Sequence, residues 1–221
     1  MNLYPFGKTL ACAYVNLIYN VKYEGQENIP QNQGFIITSN HQTFYDPILI
    51  AHKVKPQLRF MAKAEFFANK LVGWLFKSLG VFPVQRGKSD RTSLDTAKKI
   101  IQDGGVMAIF LEGTRSKDGN PGSPKPGVAM IAGAVGCGVQ PVAISFKGKL
   151  SFRKKVTVRY GKFIPLEQLG IEAGASSTVR KASHLIMNAI VDSMDRDCFD
   201  YEAYINKRLG AGEKNNAGNN S

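Results

Sequence analysis

Residues 34–47 read GFIITSNHQTFYDP, and this stretch decides the fold. Its first five residues form a near-continuous apolar run of strand length, the pattern of a strand covered on both faces of a sheet. Its last two, Asp46 and Pro47, are a helix-start signal, with Asp at the N-cap and Pro at the first helical position. Strand, loop and helix thus follow one another within a single short stretch.

The same alternation continues along the chain. Apolar runs at 106–111 (VMAIFL) and 139–146 (VQPVAISF) read as further buried strands, and weaker strand patterns lie at 20–24, 58–61, 80–84 and 155–160. Helical patterns fall between them at 47–53, 64–79, 90–103 and 126–136. A longer one, STVRKASHLIMNAIVDSM, follows residue 175 and opens on Ser and Thr as cap candidates. This order predicts an α/β layered fold. No internal repeat or dividing linker interrupts it. The expected organisation is an N-terminal apolar helix over 1–20, one domain over 21–209 and a disordered, polar Gly/Asn-rich tail over 210–221.

Composition narrows the class. The 221 residues carry 29 Lys+Arg against 17 Asp+Glu, a net charge of +12, with 43% hydrophobic residues. That apolar content excludes intrinsic disorder, and the length suffices for a real core. The surplus of positive charge suggests an anionic partner: nucleic acid, lipid headgroups or a phosphorylated substrate. The 3 cysteines (Cys12, Cys137, Cys198) form no C-x-x-C pair, which argues against a disulfide framework or a structural zinc site and for a reduced, cytosol-facing location. Residues 9–19 (TLACAYVNLIY) are too short to span a bilayer and suit an interfacial or core-packing helix. Residues 127–146, broken by glycines and Pro141, read as helix then strand rather than as a span.

Five constellations carry chemistry. His41 sits in the strand-to-helix loop, five residues before Asp46. In a regular helix those positions point about 140° apart, so the two side chains meet only if the loop turns back. A histidine held by a carboxylate can act as a general base; the pair also suits a plain helix cap beside a loop histidine. The second is Glu112-Gly113-Thr114-Arg115-Ser116, after the strand at 106–111. Gly permits a tight turn, and Arg offers a planar fork for phosphate; an ordinary surface turn has the same composition. The third, GVFPVQRG at 80–87, brings Arg86 to another strand end. In the fourth, KAEFFANKLVGWLFKSLG at 63–80, aromatics alternate with Lys63, Lys70 and Lys77, as in an interfacial helix or one packed on the sheet. The fifth is the strip 147–162, with seven basic residues and no acid. It suits a nucleic-acid strip, an anionic-membrane patch or a solvated hairpin.

In chain order, NHQTFYD, GVFPVQRG, FLEGTRS and VQPVAIS resemble the four blocks of the glycerolipid acyltransferases, and most nearly the 1-acylglycerol-3-phosphate acyltransferase family. Thr43 stands where Ser is commoner and Leu111 where Pro is usual, and neither change removes a reacting group. The resemblance implies a central, mostly parallel sheet flanked by helices, to which the N-terminal helix adds a membrane-interface or core-packing element. It implies His41 as general base and Asp46 as its orienting partner. Arg86, Glu112, Gly113, Thr114 and Arg115 would hold the glycerol phosphate, with Lys63 helping to neutralise charge and Pro141 shaping the donor side. The reaction implied is acyl transfer to the sn-2 hydroxyl of lysophosphatidate, giving phosphatidic acid. Acyl-CoA or acyl-carrier protein would be co-substrate, without metal, cofactor or nucleic acid. The expected place is the cytoplasmic face of a membrane, at an anionic surface. Glycerol 3-phosphate or another lysophospholipid is the alternative acceptor. The alternative outside enzymes is a basic nucleic-acid-binding protein, for which no signature motif is present.

Overall fold

The computed structural model describes residues 4–84, 91–116 and 118–206. In chain order the elements are α1 (Tyr4–Ile18), β1 (Asn20–Glu24), β2 (Phe35–Ser39), α2 (Asp46–Ala51), β3 (Leu58–Lys63) and α3 (Lys70–Ser78). There follow β4 (Val81–Val84), α4 (Arg91–Gln102), β5 (Val106–Ala108), α5 (Gly127–Val135), β6 (Val139–Ser145), β7 (Lys155–Tyr160), α6 (Leu166–Leu169) and α7 (Ser176–Asp192). The strands form one seven-stranded sheet in the order β1-β7-β6-β2-β5-β3-β4. Five run parallel; β7 pairs antiparallel with β6, and β1 pairs parallel with β7, so these last two oppose the rest. This is the α/β layering that the sequence pattern predicts, with the mostly parallel sheet that the family resemblance implies.

Alternate residues of the strands face two separate cores, which is why the strands read as unbroken apolar runs. On one face Ile36, Met107, Val139 and Ala143 meet α4, α5 and α7. On the other, Phe35, Ile37, Val106 and Ile144 meet Val15 of α1 and Leu49 and Ile50 of α2. The N-terminal helix is present and two-faced. Tyr4, Cys12 and Val15 are buried, whereas Phe6, Leu10, Tyr14 and Leu17 are exposed. At about 100° per residue these two sets lie on opposite sides of the helix.

Three local expectations change. The helix expected over 64–79 is two pieces, a 3₁₀ turn at Ala64–Phe67 and α3. The Asn69 side chain explains the restart, because its Oδ1 accepts the N–H groups of Leu71 (3.0 Å) and Val72 (3.2 Å). The strand expected over 106–111 ends at Ala108, where its pairing with β3 stops at Phe60. Ser and Thr do not cap α7; its N-cap is Ala175, and the Thr178 hydroxyl bonds the Ala175 carbonyl at 2.8 Å. The tail at 210–221 lies outside the described residues.

The basic strip is partly structural. Arg159 lies on β7 and pairs with Glu24 at 2.7 Å and Asp195 at 3.0 Å, and it also donates to the Ser193 carbonyl. It therefore stitches the β1–β7 edge to the end of α7 rather than facing a partner.

Candidate active site

Because β2 and β5 are parallel neighbours, their C-terminal ends open side by side. Past β5 the chain stays on β2 for one more step, with the Ile109 N–H bonded to the Ile37 carbonyl (3.1 Å) and that of Leu111 to Ser39 (3.3 Å). It then turns at Gly113, whose φ of 70° is left-handed and suits glycine. The segments 40–46 and 110–116 are thereby laid against each other.

Asp46 is the first residue of α2, but it is not the N-cap that its place before Pro47 suggests. Tyr45 holds that position, and no side chain caps it. The carboxylate turns back into the loop instead. Its Oδ2 accepts from His41 Nδ1 (2.7 Å), the Gln42 N–H (2.6 Å) and the Thr43 N–H (2.8 Å), and its Oδ1 from the Thr43 hydroxyl (2.6 Å). The loop does turn back, so the geometric condition on the pair is met. Asp46 is fully buried while the His41 side chain keeps 17% exposure. An ionised carboxylate only accepts, so the proton on Nδ1 points to Asp46 and the lone pair sits on Nε2.

His41 is fixed at three further points. Its N–H donates to Glu112 Oε1 at 3.0 Å, and its carbonyl accepts the Ser116 N–H at 2.7 Å. Its ring stacks on Phe110, with centroids 3.8 Å apart and planes 11° from parallel. Glu112 is buried and spans two segments, since Oε2 accepts the Gly122 N–H at 2.9 Å. A Cβ at position 122 would stand 2.7 Å from that oxygen, so a larger residue there would displace the carboxylate. Burial raises the Glu112 carboxyl above its ordinary value, and the His41 and Gly122 N–H groups pull the other way.

The expected site residues thus divide. His41, Asp46 and Glu112 are brought together, but both Glu112 oxygens hold backbone N–H groups, so the carboxylate braces the His41 loop. Thr114 and Arg115 are exposed beside that loop, and the Arg115 guanidinium lies 3.7 Å over the Phe44 ring. Lys63 ends β3, whose C-terminal end opens on the same edge of the sheet. Arg86 lies outside the described residues. Pro141 lies within β6, opposite Thr38 of β2. Asn40 is buried and ties β2 to β6 through paired 2.9 Å bonds with the Ile144 backbone. Neither Asn40 nor Phe110 was singled out by spacing, although both lie inside quoted motifs. Among the described residues no group of three or more His, Cys, Asp or Glu gathers to hold a metal ion.

The family profile described as acyltransferase matches residues 20–145, more than half of the chain. The chain belongs to the acyltransferase family. This chain is 31% identical to the chloroplastic 1-acyl-sn-glycerol-3-phosphate acyltransferase LPAT1 of Arabidopsis thaliana, over 68% of its own length and 39% of that protein's. It is 32% identical to the 1-acyl-sn-glycerol-3-phosphate acyltransferase of Bacillus subtilis (strain 168), over 54% of its own length and 60% of that protein's. It therefore spans roughly half the length of these curated relatives. Among solved structures it is similar to the 1-acyl-sn-glycerophosphate acyltransferase PlsC from Thermotoga maritima, with a TM-score of 0.61 and 27% identity, covering 84% of this chain and 76% of that one.

Proposed function

We propose that this acyltransferase moves a fatty acyl group from an acyl thioester to the sn-2 hydroxyl of 1-acyl-sn-glycerol 3-phosphate, giving phosphatidic acid. The observation that carries the reading is the 2.7 Å bond from His41 Nδ1 to buried Asp46, which leaves Nε2 as a free base beside the Arg115 block. Nε2 takes the hydroxyl proton as the oxygen attacks the carbonyl carbon. The tetrahedral adduct then collapses, the C–S bond breaks, and His41 returns the proton to the departing thiolate. Asp46 holds the tautomer and stabilises the transient imidazolium. Arg115 and Thr114, with Arg86, grip the phosphate and so fix which hydroxyl reaches the base.

No thiol is needed as nucleophile. Cys137 is buried and its thiol is pushed up to about 12, and the Cys198 thiol is pushed up to about 11, so both stay protonated. The donor is the thioester of coenzyme A or of acyl-carrier protein. The reaction so proposed runs at the cytoplasmic face of a membrane. Exposed Phe6, Leu10 and Leu17 on α1, and Leu71 and Trp74 on α3, support docking on an anionic bilayer surface. No helix among the described residues is long and apolar enough to cross a membrane.

The test is a matrix of acceptors (lysophosphatidate, glycerol 3-phosphate, lysophosphatidylethanolamine) against acyl-CoA and acyl-carrier-protein donors, with His41→Ala as blank. Lysophosphatidate should be the preferred acceptor. Preference for glycerol 3-phosphate, or turnover by the blank, refutes the proposal.

A further inference from the structure

Phe44 is a large aromatic side chain left 78% exposed in the middle of the catalytic loop. It contributes nothing to either hydrophobic core. Its backbone is nonetheless pinned on both sides: the Thr43 N–H and hydroxyl bond Asp46, and the Tyr45 N–H donates to Thr43 Oγ1 at 3.1 Å. A rigid loop therefore holds an apolar ring in solvent at a fixed place. Over that ring lies the Arg115 guanidinium, whose Cζ stands 3.7 Å from the centroid. Among the described residues no carboxylate forms an ion pair with Arg115.

The choice of partner has a chemical consequence. A carboxylate would hold the arginine by occupying its N–H donors and cancelling its charge. An aromatic face instead takes up the flat side of the guanidinium and leaves the in-plane N–H fork and the full positive charge for an anion. We propose that Phe44 is a positioning residue: its ring holds the Arg115 guanidinium as a preset, unneutralised fork for the phosphate of the acceptor. This rests on the reading that Arg115 meets that phosphate. It makes Phe44 a determinant of acceptor affinity although it need not touch the reacting atoms.

Steady-state kinetics in detergent micelles test it, with Phe44→Ala, Phe44→Leu and Phe44→Tyr made in both the wild type and Arg115→Ala. Loss of an exposed cation–π contact should raise the acceptor KM about two- to five-fold in the Ala and Leu variants. Their kcat and donor KM should stay near wild type, and Phe44→Tyr should restore the acceptor KM. In the Arg115→Ala background, Phe44→Ala should add nothing, since the two changes remove one interaction. An active wild type whose acceptor KM ignores Phe44→Ala overturns the positioning role alone. So does a KM effect that persists undiminished without Arg115, which would mark the ring as an anchor to the micelle. A wild type inactive on lysophosphatidate overturns both this role and the functional reading beneath it.

Discussion

Asp46→Asn perturbs the site at its most constrained point. The carboxylate accepts three N–H bonds at Oδ2 and one hydroxyl at Oδ1, all between 2.6 and 2.8 Å. An Asn side chain has one oxygen and one NH₂ group. Its oxygen must take the Oδ2 position, because an NH₂ there would face three donors. The NH₂ then sits at Oδ1, and the Thr43 hydroxyl turns from donor to acceptor. Every bond survives, but the charge is gone. A bond to an ionised acceptor exceeds a neutral one by about 1 kcal/mol, so the three N–H bonds together lose about 3 kcal/mol. For a chain of this size that lowers Tm by about 6–12 °C. On the proposed mechanism the effect on turnover is larger, because a neutral amide cannot stabilise an imidazolium formed as His41 takes the hydroxyl proton. We expect kcat to fall by about a hundred- to ten-thousand-fold. The assay is phosphatidic acid formation at saturating acceptor and donor, beside a thermal melt. A variant that melts in the expected range yet keeps kcat within about ten-fold of wild type would refute the role assigned to the carboxylate.

Arg115→Ala should raise the acceptor KM by about ten- to a hundred-fold, the worth of a charge-assisted bond to phosphate, and leave the donor KM unchanged. Equal shifts in both constants would contradict a phosphate grip. Glu112→Gln should lower kcat more than it raises the acceptor KM, because one amide NH₂ must now meet either the His41 or the Gly122 N–H; a change confined to KM would place Glu112 on the ligand instead. Burial raises the Glu112 carboxyl, so the folded chain binds its proton more tightly than the unfolded one. Its contribution to stability is thus complete below the ordinary value of 4.5 and is lost as pH rises through the raised value. Urea unfolding across that window should show a slope in wild type that Glu112→Gln removes, and identical slopes would count against it. Leu10→Ser with Leu17→Ser should weaken co-sedimentation with anionic vesicles while leaving the melt nearly unchanged, since both side chains are exposed; unchanged sedimentation would remove α1 from the docking surface.

The strands were legible because a parallel sheet covered on both faces writes each strand as an unbroken apolar run, as in Phe35–Thr38 and Val139–Ser145. The His41–Asp46 pair was legible because its partners lie five residues apart in one short stretch. The two backbone bonds of Glu112 were not, because which donors a carboxylate meets depends on how segments far apart in the chain cross. The His41–Phe110 stack was hidden for the same reason: in the sequence Phe110 is only one more apolar residue in a strand-like run. Asp46 misleads locally, since a residue before Pro reads as a cap unless a nearby imidazole draws its carboxylate back.

The position of β2 has a kinetic consequence. Its partners are β5 and β6, with Phe35 opposite Val106 and Ile36 opposite Val139, and neither β1 nor β3 pairs with it. A chain emerging from the ribosome presents this apolar strand with both edges open long before either partner exists. The His41 loop waits as well, because its backbone is held by Glu112, 71 residues downstream, and by Ser116. Folding dominated by such distant pairings is slow. A fragment ending before residue 106 would keep the His-Asp motif intact in sequence yet lack the backbone partners that set it. Such fragments would expose β2 as a template for wrong pairing, so the strand that leads into the His41 loop is also an aggregation hazard during synthesis.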